Sequence, residues 1–170
     1  REILEKLIKE TIIKGGTLMI PSFAMERTQE LLFELNNLIE NKKIPEVPIF
    51  VDSPLATNLT EVYKKHSEYF NKEAMYLIES GDDIFIFRGL KFTRTADESK
   101  KINDIIGPKI IIAGSGMSNG GRILHHERRY LSDPNSAILF VGYQVKGSLG
   151  RRILDDEKES CLRSTRKSIK

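Results

Sequence analysis

The sequence predicts a three-layer α/β/α domain built on a mostly parallel, twisted sheet of about five strands. Two observations carry this. Short apolar runs such as Thr17–Ile20, Pro48–Val51 and Lys109–Ala113 alternate with longer stretches striped at helical spacing. Strands separated by helices require crossover connections, which bury a parallel sheet on both faces. A third observation gives the layers a working edge: nearly every strand runs directly into small or polar residues, and in such sheets ligands bind outside the carboxyl ends of the strands.

In chain order, residues 2–14 read as a helix with Ile3, Leu4, Leu7, Ile8 and Ile12 on one face, closed by Gly15-Gly16. Thr17–Ile20 is a buried strand ending at Pro21. Residues 26–41 carry a helical stripe (Leu31, Leu32, Leu35, Leu38, Ile39). Pro48–Val51 is the second strand, interrupted by Asp52-Ser53-Pro54. Helices are expected over 56–66, where His66 is the C-terminal residue, and over 68–79. Gly81-Asp82-Asp83 is a turn, and Ile84–Phe87 is either a small strand or a buried turn. Leu90–Thr93 is the third main strand and Ala96–Ile106 a helix. Lys109–Ala113 is the fourth strand, Gly121–Leu131 a helix, Ala137–Val141 the fifth strand, and Gly147–Leu154 the start of a last helix. The loops at the strand ends are then Pro21–Phe23, Asp52–Pro54, Arg94-Thr95, Gly114–Gly121 and Gly142–Gly147, expected along one edge.

The Gly114–Gly121 loop is the most informative of these. A buried strand enters a helix through residues with almost no side chain, so backbone N–H groups and a helix N-terminus can approach an anion. The dinucleotide fingerprint does not fit: from Gly114 the pattern is Gly114-x-Gly116-x-x-Asn119, without the third glycine, and no acidic residue ends the next strand. No G-x-x-x-x-G-K-[ST] loop exists in the chain. Phosphate recognition is the chemistry this leaves, against the plainer reading of a turn that packs a helix on a sheet.

Composition narrows the classes further. The chain has 170 residues, 39% hydrophobic and 30% charged, as expected of one folded domain with a sizeable core. No apolar run approaches the ~20 residues that span a bilayer. Cys161 is the only cysteine and no signal peptide is visible, so a cytoplasmic setting without disulfides and without membrane attachment is expected. Residues 119–170 hold 11 Lys/Arg against 6 Asp/Glu, net +5, while residues 1–118 hold 16 against 18, net −2. The excess beside and after the glycine loop suits a polyanion at that edge; a solvated basic tail accounts for 163–170. The chain opens on a helical pattern rather than on Met, as an excised domain would.

Four stretches in register resemble the β-CASP domain of the metallo-β-lactamase-fold ribonucleases. They are Gly15-Gly-Thr-Leu-Met-Ile-Pro-Ser-Phe-Ala-Met-Glu-Arg-Thr-Gln-Glu-Leu-Leu32, Pro48-Ile-Phe-Val-Asp-Ser-Pro-Leu-Ala56, Ile112-Ala-Gly-Ser-Gly-Met-Ser-Asn-Gly-Gly-Arg-Ile-Leu-His-His126, and Leu139-Phe-Val-Gly-Tyr-Gln-Val-Lys-Gly-Ser-Leu-Gly150. The resemblance covers about residues 1–155, a Rossmann-like domain inserted in that family into a zinc-binding lactamase domain. It implies single-stranded RNA and the missing lactamase domain as partners, with a homodimer open for the intact protein. Zinc would belong to the intact parent and not to this chain, whose three histidines form no H-x-H-x-D-H motif. The chain alone is expected to be inactive, and residues 156–170, more polar and basic than the family pattern, to form a poorly packed tail.

On this reading Ser115, Gly116, Met117, Asn119 and Gly120 offer backbone and side-chain donors to RNA phosphate and sugar, contacts that fix register without reading bases. Arg122 either reinforces them or faces solvent. Arg27 either reaches the RNA or, with Glu26, charges a helix start, with Ser22 supporting the loop. Ser53 belongs to the same edge, and Asp52 is assigned a turn and helix-cap role with it rather than a metal. Of His125 and His126, adjacent and on different sides of a helix, one touches RNA or the missing domain and the other is a surface residue. Tyr143 and Lys146 in the last strand loop could stack on a base and hold a phosphate; packing on the absent domain accounts equally for Tyr143. The runner-up function is a stand-alone module for a nucleotide or phosphorylated metabolite.

Overall fold

A computed structural model describes residues 2–155. The basic tail expected over 156–170, with Cys161, lies outside the described residues. The elements follow the order α1 (Glu2–Ile13), β1 (Thr17–Pro21), α2 (Arg27–Glu40), β2 (Ile49–Asp52), α3 (Pro54–Lys65), α4 (Lys72–Glu79), β3 (Leu90–Phe92), α5 (Ala96–Lys101), β4 (Lys109–Ala113), α6 (Ile123–Tyr130), β5 (Ala137–Ile138) and α7 (Leu149–Leu154). The five strands form one sheet in the order β3-β2-β4-β1-β5, with every pairing parallel.

Strand periodicity sorts the core into two layers. Leu18, Ile20, Ile49, Val51, Ile110 and Ile112 face α1, α2, α3 and α4, where Leu4, Ile8, Leu32 and Leu35 complete the larger cluster. Met19, Phe50, Ile111 and Ala113 point the other way and meet Ile102 and Ile123. The central strands are buried on both faces, hence their unbroken apolar runs.

Element ends depart from the sequence expectations for identifiable reasons. α3 starts at Pro54, earlier than expected, because Ser53 Oγ accepts from the Ala56 N–H at 3.2 Å and proline suits a first helical turn. The helix expected over 68–79 is split: Ser67–Tyr69 is a 3-10 turn, and Asn71 caps α4 by accepting from the Ala74 N–H at 2.9 Å. Ile84–Phe87 is a buried turn and not a strand. α5 stops at Lys101 and tightens into a 3-10 turn over Ile102–Asp104, while Thr95 and Glu98 form a capping box at its start. α6 begins at Ile123 because Gly121, at φ 76°, still belongs to the loop. β5 is two residues long where five were expected. It is an edge strand, half-buried, and leaves the sheet after the Leu139 N–H donates to Met19 O at 2.9 Å. Gly16 permits the approach of the β5 connection: a Cβ there would lie 1.9 Å from the Asn135 carbonyl oxygen.

Candidate functional site

The loops at the carboxyl ends of the strands converge, and one carboxylate ties them together. β2 carries Asp52 one residue past Val51, so the strand's alternation turns it toward α5 and α6, where it is fully buried. Thr93 Oγ1, after β3, donates to Asp52 Oδ1 at 2.6 Å, and Arg122 Nη1 donates to the same oxygen at 2.8 Å. Ser99 Oγ on α5 donates to Oδ2 at 2.6 Å, and His126 Nε2 on α6 lies 2.7 Å from Oδ2. Burial alone would raise the pKa of this carboxyl. The hydrogen bonds from His126, Ser99, Thr93 and Arg122 outweigh it and hold Asp52 well below the usual carboxylate range. An ionised carboxylate only accepts, so His126 carries its proton on Nε2; its Nδ1 is buried without a partner among the described residues.

Arg122 extends the connection by donating to the carbonyls of Thr93 (3.3 Å) and Arg94 (2.9 Å). Its guanidinium therefore binds the β3–α5 loop rather than facing solvent. The expected cap role of Asp52 and the surface or ligand roles of His126 are likewise corrected. Ser53 alone caps α3, and His126, 2% exposed, is an interior residue. The sequence held a signal for the hub: a carboxylate follows three apolar residues in a strand buried on both faces. Arg122 and His126 stand four apart, on one flank of a helix.

The glycine loop is held from within. The Ser115 N–H donates to Gly120 O (3.0 Å), and Ser115 Oγ accepts from the Asn119 N–H (3.1 Å). Gly116 packs where a Cβ would meet the Phe23 ring at 2.7 Å, and Gly121 where one would lie 2.3 Å from Gly114 O. Ser118, with φ 56°, bonds through its hydroxyl to Glu127 on α6. Burial pushes the Glu127 carboxyl up to about 7 against the lowering effect of that bond. From the β5–α7 connection Gln144 Nε2 donates to Gly116 O (3.0 Å), the Gly150 N–H donates to Met117 O (2.9 Å), and Asn119 Oδ1 accepts from the Leu149 N–H (2.9 Å). Thr93, Ser99, Ser118, Glu127 and Gln144 are parts of the site that local pattern does not reveal, because each is a polar residue whose partner lies on another element of the fold.

A groove of about 520 Å³ opens above this network, lined by Phe23, Ser53, Leu55, Ser115, Gly121 and Arg122 among others. Of the sequence-predicted residues, Ser22, Ser53, Ser115 and Arg122 line it. Ser22 is buried, its hydroxyl 3.1 Å from Thr28 Oγ1, and so braces the loop. Gly116, Met117, Asn119 and Gly120 form the neighbouring loop, with Asn119 exposed. His125 and Lys146 are exposed on α6 and on the last loop. Arg27 does not line this groove; it pairs with Glu30 at 2.5 Å on the outer surface of α2. The Gly120 and Gly121 N–H groups, in the loop just before α6, have no intramolecular acceptor among the described residues. No three His, Cys, Asp or Glu side chains converge among the described residues in a way that could hold a metal ion. Asp52, whose oxygens already accept four donors, is unsuited to one.

An all-parallel sheet in the order β3-β2-β4-β1-β5, with a glycine-rich loop at its carboxyl edge, defines a doubly wound α/β domain. A family model described as "Beta-Casp domain" matches residues 28–153. The chain belongs to the Beta-Casp domain family. It is 41% identical over 154 residues to Ribonuclease TTHA0252 of Thermus thermophilus, covering 91% of this chain and 35% of that protein. It is 36% identical over 157 residues to the transcription termination factor FttA of Methanosarcina mazei, covering 92% of this chain and 24% of the relative. An RNase J-like protein of Methanocaldococcus jannaschii is 36% identical over 159 residues, with 94% of this chain and 35% of the relative covered. The chain thus spans a quarter to a third of the length of these curated relatives.

Proposed function

We propose that this chain is the RNA-recognition part of a ribonuclease, seating a backbone phosphate of single-stranded RNA in the groove beside the Gly114–Gly121 loop. The carrying observation is the combination of that groove with the acceptor-free N–H groups of Gly120 and Gly121 in the loop leading into α6, among the described residues. Ser115, Asn119 and the loop backbone would supply sequence-independent contacts, with His125 and Lys146 at the periphery. The names of the relatives support RNA as the substrate class.

Hydrolysis, and the zinc it would use, are assigned to a metallo-β-lactamase part of the parent protein, and no residues among those described suit a metal. The chain itself contributes position: fixing the substrate converts an encounter into an intramolecular step. A cytoplasmic setting and a homodimer of the intact protein belong to the same reading. The described residues contain no helix long and apolar enough to cross a membrane.

The test is fluorescence anisotropy with a labelled decaribonucleotide across salt concentrations. Weak binding that falls with salt, and no cleavage by the chain alone, is the expected result. Thermal stabilisation by mononucleotides without any by oligoribonucleotides would replace this reading with a nucleotide-binding module.

A further inference from the structure

A second groove lies on the outer side of α2, away from the glycine loop, between α2, the end of α3 and the start of α4. Its volume is about 650 Å³, in the range of ligand-sized sites. The floor is aromatic: Phe70 lies 6.3 Å from Tyr63 and meets Phe85 edge-on at 5.9 Å between ring centroids. Tyr69 stands at the margin, 83% exposed. The rim is acidic, with Glu26, Glu30, Glu34 and Glu73 against Arg27. Gln29, 3% exposed, lines the groove with a half-used amide. Its Nε2 donates to Ala24 O (3.2 Å) and Thr60 Oγ1 (3.0 Å), while Oε1 is buried without a partner among the described residues. An orphan acceptor of this kind is costly unless something donates to it.

We propose that this groove docks a basic segment of a partner protein, an arginine or lysine seated over the aromatic floor with an N–H directed at Gln29 Oε1. Three properties select that occupant. The aromatic faces and the carboxylate rim both favour a cation, and the same rim repels nucleic acid. Arg27, which donates to Glu30 at 2.5 Å, shows a guanidinium already held at one end. The groove, at about 650 Å³, is also larger than a single small amine fills. Phe70, Ile84 and Phe85 are shared with an adjoining hollow of about 260 Å³, where Asp83 pairs with Lys64 at 3.5 Å and Asp82 accepts from Asn36 Nδ2 at 2.6 Å. The acidic α2 rim beside this shared aromatic floor suits a peptide that seats a basic residue in the groove and extends its apolar neighbours toward the hollow. The proposal is independent of the RNA reading.

The experiment is an NMR titration of the isotope-labelled chain with acetyl-Arg-Leu-Arg-Leu-Arg-amide at low salt. Shifts at the Gln29 side-chain amide and at Tyr69 are expected, and none with the glutamate counterpart of the peptide. Glu30→Lys combined with Glu34→Lys, both on the surface of α2, is expected to weaken binding by about tenfold and to leave RNA binding unchanged. Absence of shifts up to millimolar peptide would overturn the proposal. Agmatine binding as tightly as the peptide would overturn the peptide occupant in favour of a small cation, and displacement of the peptide by RNA would overturn the separation of the two sites.

Discussion

Replacing Asp52 by alanine tests whether one carboxylate organises the site. Four donors converge on it, two from hydroxyls at 2.6 Å and two from Arg122 and His126 at 2.8 and 2.7 Å. Asp52 is ionised, so all four are bonds to a charged group, each contributing about 1.5–3 kcal/mol. Not all of that is lost. Arg122 keeps its bonds to the Thr93 and Arg94 carbonyls and is 22% exposed, and Thr93 Oγ1 retains a longer bond to Val51 O. His126 keeps nothing equivalent. A loss of about 3–5 kcal/mol follows, the range for removing one partner of a buried ion pair, out of the 5–15 kcal/mol typical of a whole domain. Urea unfolding followed by circular dichroism measures it, with Glu61→Ala on exposed α3 as a control expected within about 0.5 kcal/mol. Because the folded-state pKa of Asp52 is depressed, its contribution is complete above the ordinary aspartate range and drains away as pH falls below about 4. The variant should therefore lack part of the acid limb of the stability curve. A loss under about 1 kcal/mol with an unchanged acid limb would refute the hub.

Two further perturbations probe the loop. Glu127 has its pKa raised to about 7, so the folded chain binds a proton that the unfolded chain has released between about pH 4.5 and 7. Stability should fall by about 3 kcal/mol as pH rises through that window and level off above it. Glu127→Gln, which can still bond Ser118, should flatten the profile, and an unaltered slope would show that the carboxyl titrates normally. Gly121→Ala places a methyl 2.3 Å from Gly114 O at φ 76°. A cost of about 1–3 kcal/mol is expected, with weaker RNA binding in the anisotropy assay; a variant as stable and as tight as the parent would mean the loop adapts freely.

The sheet was legible because its strands are short, apolar and punctuated. Lys109–Ala113 has the expected bounds, and the loops placed at one edge from strand ends alone do meet there. Edge strand β5 was overextended because Leu139, Phe140 and Val141 are as apolar as a strand, and hydropathy does not reveal where the partner strand ends. The hub was legible only as isolated hints, for a different reason. Asp52, Thr93, Ser99, Arg122 and His126 each have a sufficient local explanation, such as turn, loop or helix surface. Only the crossovers that bring β2, α5 and α6 side by side make them one network. Local pattern reports periodicity and capping; it is silent on which polar side chain a remote carboxylate will select.

That selection changes how the most obvious phosphate ligand should behave. Arg122 follows the glycine loop directly and would be expected to meet the anion, yet its guanidinium already donates to Asp52 and to two carbonyls of the β3–α5 loop. An arginine so engaged shapes the groove wall instead of adding a mobile charge to it. The two roles separate in a salt titration. A direct phosphate contact releases counterion, so its removal flattens the dependence of log K on log salt by about 0.7 for single strands. Removing a wall that only shapes the loop lowers affinity alike at every salt concentration. Arg122→Ala is therefore expected to weaken oligoribonucleotide binding with an unchanged slope and to lose stability along with Asp52→Ala, the double variant losing less than the two singles added. A slope flattened by a full contact, with stability intact, would return Arg122 to the ligand's first partners and leave the loop backbone a lesser part.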